Sequence, residues 1–339
     1  MTVTIGERGR VVFGDAVERL RELPDGSVDC VVTSPPYWQL RDYGHEGQLG
    51  LEASPRAFVE RLASVFDEVW RVLSPKGTCW VNLGDTYLAG KNGGIGASTL
   101  TSHRNHDAAR KAWTATSERG TPRRVPGMRR KTLVGIPWRF ALEMIDRGWI
   151  LRADIVWKKP NALPESVRDR PSRSHEYVFL FSRSPRYFYD PDVLRTPLRP
   201  QTLTTHGRSL RVAGPETDKR NRAHGWAARA PKRQAKIGPD GKPMGANARS
   251  VWTIAQEPWD GEHTSTYPRE LVRRCVLAGC PEGGLVFDPF AGTGTSVAVA
   301  VEYGRRGLGI ELCESLAPEI ERRFSGLQLA IPLASGGTR

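Results

Sequence analysis

Two runs of residues in this chain could do chemistry together. The first is Val32-Thr33-Ser34-Pro35-Pro36-Tyr37-Trp38. Two consecutive prolines fix the backbone and donate no hydrogen bond, so their carbonyls stay open as acceptors. The Ser34 hydroxyl adds an acceptor, and Tyr37 and Trp38 offer flat faces. Such a set can hold a planar group that carries an amine. Taken alone, a proline turn that sends its aromatics into the core would use the same residues. The second run is Phe287-Asp288-Pro289-Phe290-Ala291-Gly292-Thr293-Gly294-Thr295-Ser296. Glycines let a ligand approach the backbone, and the helix expected from Thr295 presents free N–H groups. No Gly-Lys-Ser/Thr closes the run, so it is not a phosphate-binding P-loop, and the full dinucleotide spacing of glycines is missing. The next strand ends at Glu311, whose carboxylate can take two ribose hydroxyls. This pattern suits a nucleoside without a pyrophosphate, the alternative being a plain turn with packing glycines.

The elements that must position these runs alternate strand and helix. Residues 30–33 are a short apolar run fit for a buried parallel strand. Phe58, Val59, Leu62, Val65, Phe66, Val69 and Leu73 recur at helical spacing, with Ser54-Pro55 to start the helix and Ser74-Pro75-Lys76-Gly77 to stop it. Strands are expected at 78–83, 150–157, 176–182, 285–288 and 307–312. Helices are expected at 137–148, 268–278, 295–303 and 314–324. That is an α/β pattern with a mainly parallel sheet, and strand C-termini in such sheets face a ligand crevice.

Charge is concentrated rather than spread. The 339 residues carry a net +13. Residues 89–131 hold ten basic and two acidic side chains, and residues 196–250 hold twelve and three, which leaves the remainder at −4. Both segments are rich in Gly, Pro, Ser, Thr and Asn. Solvated loops would look the same, but two basic insertions on a near-neutral body are the footprint of a polyanion binder. Hydrophobic residues at 39% exclude wholesale disorder. No apolar run approaches the ~20 residues of a membrane span, and residues 1–14 do not read as a secretory signal. The five cysteines form no Cys-x-x-Cys pair, so a reduced, cytoplasmic chain without a structural metal is expected.

Together the two runs resemble the signatures of the DNA amino-methyltransferases that use S-adenosyl-L-methionine. The order, catalytic motif first and cofactor loop last with a basic segment between, resembles the beta class. The resemblance extends over roughly 14–324. It implies a Rossmann-like methyltransferase sheet with circularly permuted motif order and a basic target-recognition insertion. The division it suggests is a catalytic domain in three parts (1–88, 132–195 and 251–328, the last binding cofactor). A basic insertion at 89–131, a target-recognition region at 196–250 and a tail at 329–339 complete it. Ser34, Pro35, Pro36 and Tyr37 would be the catalytic set. Asp15, Tyr267, Asp288, Phe290, Gly292, Gly294, Thr295, Ser296 and Glu311 would bind the cofactor, although Asp15 is equally placed to cap a helix. Tyr267 stands where the family often has Phe, at the end of a run from His263 that would close over the methionine moiety.

In the family that the chain resembles, serine in the first place of Ser-Pro-Pro-Tyr leans toward the N4 amine of cytosine, and aspartate there toward the N6 amine of adenine. The chain contains no Pro-Cys pair, which argues against C5-cytosine chemistry. The amine would be held by Ser34 and the Pro35 carbonyl, and the flipped base stacked on Tyr37 with support from Trp38. The implied partner is double-stranded DNA, without a membrane. A homodimer and a cognate restriction endonuclease are both compatible with the resemblance. The same enzyme acting on adenine is the nearest alternative. A nicotinamide-dependent oxidoreductase would leave Ser-Pro-Pro-Tyr and both basic segments unexplained, and a non-catalytic nucleic-acid-binding protein would leave the paired motifs idle. Asn82, Asp85 and the polar run 169–177 stay open between pocket and structural roles.

Overall fold

The computed structural model describes residues 1–40, 42, 44–45, 47–88, 125–162, 164–196, 245–257 and 267–327. Most of both basic segments, His263 and the tail thus lie outside the described residues. The chain divides into two units, 1–189 with 250–339, and 190–249.

In the larger unit the chain opens with two short strands, β1 (Thr2–Ile5) and β2 (Gly9–Phe13), and a capped helix α1 (Ala16–Arg21). Strand β3 (Val28–Thr33) delivers the Ser-Pro-Pro-Tyr run, and α2 (Pro55–Val72) follows it. The expected caps of α2 are present: the Ser54 hydroxyl accepts from Ala57 N, with Pro55 in the first turn. Then come β4 (Leu73–Leu83), α3 (Ile136–Asp146), β5 (Ile150–Lys158), β6 (His175–Ser182) and β7 (Val251–Thr253). The chain closes through α4 (Arg269–Gly279), β8 (Leu285–Asp288), α5 (Thr295–Glu302), β9 (Arg306–Glu311) and α6 (Ala317–Ser325).

One nine-stranded sheet runs in the order β1-β2-β9-β8-β3-β4-β6-β5-β7. Five of its eight pairings are parallel, and the antiparallel ones are β1 with β2 and β6 with both β4 and β5. The decisive neighbours are β3 and β8, paired in parallel at Cys30↔Val286 and Val31↔Phe287. From this pair the connections run outward in opposite directions, to β4 on one side and β9 on the other. That reversal opens a crevice at the strand C-termini. It also explains how motifs 255 residues apart come into contact: the Thr33 hydroxyl donates to Asp288 Oδ1 at 2.6 Å.

Alternation along the central strands sorts the core into two faces. Val31, Cys79 and Val81 join Phe58, Leu62 and Phe66 of α2 and Phe140 of α3 in one buried cluster. On the opposite face the Thr78 hydroxyl donates to Gly279 O at the end of α4. There a Cβ at Gly279 would come within 2.3 Å of Trp80 Nε1, so only glycine lets the helix approach.

Three differences from the sequence expectation have physical causes. Strands β1, β2 and β7 are short and alternate in burial, too brief to stand out as periodic patterns. The Ser74-Pro75-Lys76-Gly77 run ends α2 but enters β4 directly, because Leu73 pairs with Val28 and the Lys76 carbonyl is taken by Phe188 N. The last helix starts as a 3-10 turn (Glu314–Leu316) before α6. No described helix is long and apolar enough to cross a membrane.

In the smaller unit the described residues form a 3-10 turn (Asp192–Leu194) and a bridge between Thr196 and Ala246. Arg195 holds this piece together by donating to Asp192 Oδ1 and to Gly245 O.

Candidate active site

At the strand C-termini of the larger unit lies a cavity of about 210 Å³. One wall carries Ser34, Pro35, Pro36 and Tyr37, and the other Asp15, Tyr267, Phe290, Gly292, Thr295 and Glu311. Asp288, Gly294 and Ser296 do not line it. Gly294 is part of the glycine-rich turn itself, and Asp288 and Ser296 flank it in sequence.

Glu311, at the end of β9, is the anchor of the second wall. Its Oε2 accepts from Gly292 N and its Oε1 from Cys313 N, each at 2.8 Å. Burial pushes its carboxyl above the ordinary range, even with these two donors holding the charged form. The Cys313 thiol is a further, weak donor to it, and the roughly four acceptor sites of a carboxylate still leave room for a sugar hydroxyl. Gly292 (φ 54°) and Gly294 (φ 76°) take left-handed conformations that a side chain would strain. Gly294 serves as the N-cap of α5. The helix N-terminus so formed brings Thr295 to the cavity edge.

Asp288 is fully buried and its acceptor capacity is used. Oδ1 takes Thr33 Oγ1 and Phe290 N, while Oδ2 takes Ser296 Oγ at 2.6 Å and the Tyr267 hydroxyl at 3.0 Å. Burial raises its carboxyl above the usual value. Asp288 and Ser296 therefore brace the turn from behind, which places their contribution to a ligand in the shape of the loop. The Tyr267 hydroxyl finds its partner here, a bond that Phe could not make. Asp15 Oδ1 accepts from Val17 N and Glu18 N, so it does cap α1, and it lines the cavity as well.

The first wall holds residues that the motifs alone do not reveal. Asn82 at the end of β4, Glu176 on β6 and Trp157 on β5 all line the cavity behind Ser34 and Tyr37. The Tyr37 hydroxyl donates to Glu176 Oε2 at 2.7 Å, and the Ser34 hydroxyl to Asn82 Oδ1 at 3.3 Å. Asn82 Nδ2 donates to Glu176 Oε2 at 3.2 Å and to Tyr177 O at 3.1 Å. Lys159, 1% exposed, closes the set with an ion pair to Glu176 Oε1. Burial alone would raise the Glu176 carboxyl, but the Lys159 charge and the three donors outweigh it and hold it below its ordinary value. Desolvation and the neighbouring Glu176 charge push the Tyr37 phenol well above its usual value, so Tyr37 stays a neutral donor.

Two further expectations resolve structurally. Trp38 is 2% exposed and sits in the core, its Nε1 donating to Glu52 O, so it does not support a stack on the cavity side. Asp85 caps α3 through Gly135 N and Ile136 N.

A model of the N6/N4 DNA methylase family matches residues 28–322. The chain belongs to this family of DNA methyltransferases. It is 42% identical over 306 residues to the Type II methyltransferase M.XycI of Xanthomonas campestris pv. cyanopsidis, an alignment spanning 90% of this chain and 84% of that one. To the Type II methyltransferase M.SmaI of Serratia marcescens it is 38% identical over 315 residues, spanning 93% and 90%. Among solved structures, the PvuII DNA methyltransferase (cytosine-N4-specific) superposes with a TM-score of 0.57 at 17% identity, covering 97% of this chain and 92% of that one. A Thermus thermophilus protein assigned as a DNA modification methylase, complexed with S-adenosyl-L-methionine, gives 0.53 at 24%, covering 93% and 92%. These likenesses establish the Rossmann-like methyltransferase fold. As a DNA methyltransferase of the N6/N4 family, the chain acts on DNA and transfers a methyl group to it.

Proposed function

We propose that this methyltransferase modifies the exocyclic N4 amine of cytosine at a specific sequence in duplex DNA. The observation that carries the reading is the cavity that Ser34-Pro35-Pro36-Tyr37 lines together with Gly292 and Glu311. The choice of cytosine rests on Ser34 in the first place of the tetrapeptide. The methyl donor is S-adenosyl-L-methionine, which supplies an electrophilic methyl group on a sulfonium.

The chain's own residues do the rest. The Glu311 carboxylate takes the ribose hydroxyls, and the Gly292–Thr295 turn receives the methionine end. Ser34 Oγ and the Pro35 carbonyl accept the amine hydrogens and draw the nitrogen lone pair out of conjugation with the ring. Tyr37 stacks on the base once it has left the duplex. The work of this site is positioning and electrostatics, with no covalent enzyme intermediate. The basic segment 196–250 supplies sequence readout, and 89–131 contacts phosphates.

The test is incubation with unmethylated genomic DNA and labelled S-adenosyl-L-methionine, then digestion to nucleosides and mass analysis. N4-methylcytosine is the expected product. N6-methyladenine as the product would transfer the reading to adenine.

A further inference from the structure

Ser34 can serve an incoming amine in two opposite ways, as acceptor or as donor, and its sequence does not decide between them. The decision is made by what takes its single hydroxyl proton. Asn82 Oδ1 lies 3.3 Å from the Ser34 hydroxyl and 3.2 Å from that of Tyr37. The Tyr37 proton has its shorter acceptor in Glu176 Oε2 at 2.7 Å, which leaves Asn82 Oδ1 to take the Ser34 proton and the Ser34 lone pairs for the cavity.

Asn82 can do this only with its amide turned one way. Both of its N–H groups are committed, to Glu176 Oε2 and to the Tyr177 carbonyl. An amide turned the other way would set its NH₂ against Ser34 and its oxygen against the Glu176 carboxylate, oxygen to oxygen. Glu176 also receives the Tyr37 hydroxyl on the same oxygen, while Lys159 takes the other. Asn82, Glu176 and Lys159 are 3%, 4% and 1% exposed, so water is poorly placed to replace any of these bonds.

We infer that Glu176, ion-paired to Lys159, is a positioning residue that fixes the polarity of the Ser34 hydroxyl, making it an acceptor for the target amine. This rests on the role proposed for Ser34 above. Glu176 has three of its acceptor sites taken, by Tyr37 and Asn82 on Oε2 and by Lys159 on Oε1. Its place is one layer below the reacting atoms, and it acts through Asn82 and Tyr37.

The experiment is a double-mutant cycle between Glu176→Gln and Ser34→Ala. It is read as the single-turnover methyl-transfer rate at saturating S-adenosyl-L-methionine and DNA, with cofactor Kd measured on every variant. Glutamine keeps the shape but can turn either amide face to Asn82 and Tyr37. A parallel cycle uses Lys159→Met/Glu176→Gln in place of Glu176→Gln, so that no buried charge is left unpaired and loss of folding does not decide the result. With Ser34 in place the change should slow transfer by at least ~10-fold with cofactor Kd unchanged, and in the Ser34→Ala background by less than ~2-fold. Equal fold-losses in both backgrounds would show that Glu176 supports the fold independently of Ser34 and would overturn the inference. So would full activity of the Lys159→Met/Glu176→Gln protein. Failure of the function reading looks different, because wild-type protein would then leave no methyl group on cytosine.

Discussion

The two walls of the cavity are built by different means. The wall around Gly292 and Glu311 is made mostly of backbone: amides of Gly292 and Cys313 on one carboxylate, two left-handed glycines and a helix N-terminus. The wall around Ser34 and Tyr37 is made of side chains from β4, β5 and β6, closed by a buried ion pair. A nucleoside cofactor is the same molecule in every turnover, so fixed amides suffice. Under the proposed function, a base that leaves the duplex and is held by its amine needs oriented polar side chains, and these depend on one another.

This difference also governs how each wall could be read from sequence. The signature of the backbone wall is local, since Asp288 through Ser296 and then Glu311 lie within about one strand-helix-strand unit, while Asp15 and Tyr267 join this wall from elsewhere in the chain. The side-chain wall is not local. Asn82 meets Glu176 across 94 positions and Tyr37 meets it across 139, and no spacing rule connects them. Glu176, a carboxylate inside the apolar strand β6, was one available signal, since such a charge usually comes paired, here with Lys159 just past β5. The alternating α/β elements and the long amphipathic α2 were legible from periodicity. The edge strands β1 and β7, four and three residues long, were not.

The side-chain wall is most sensitive at Lys159, which pairs with Glu176. Lys159→Met leaves the Glu176 carboxylate buried without its cation, and stability should fall by about 3–5 kcal/mol in urea denaturation. Acid tells the two proteins apart. In the wild type the Glu176 carboxyl lies below its unfolded value, so its stabilisation is full at neutral pH and is lost as pH falls through that lowered value. In Lys159→Met burial raises the carboxyl instead, so the deficit should shrink on acidification. A deficit independent of pH would mean that the pair is not linked in this way.

On the backbone wall, Glu311→Gln sets an amide N–H against one of the two backbone donors. Isothermal titration should find S-adenosyl-L-methionine bound roughly 10–100-fold more weakly, the range of a hydrogen bond to a charged group. Methyl transfer at saturating cofactor should change far less. Smaller still is Gly294→Ala, which forces a side chain into a left-handed conformation 3.1 Å from Phe324. It should cost about 1–2 kcal/mol of stability and loosen cofactor binding modestly. An equal effect on the target wall would blur the distinction drawn between them.

The most direct test is Ser34→Ala, with cofactor binding and methyl transfer to DNA measured on the same preparation. Two walls with separate tasks predict wild-type affinity for S-adenosyl-L-methionine and transfer slowed by about 10²–10³-fold, as when one preorganised polar contact to the reacting group is removed. Transfer at the wild-type rate, or a loss of cofactor binding in step with it, would contradict the account.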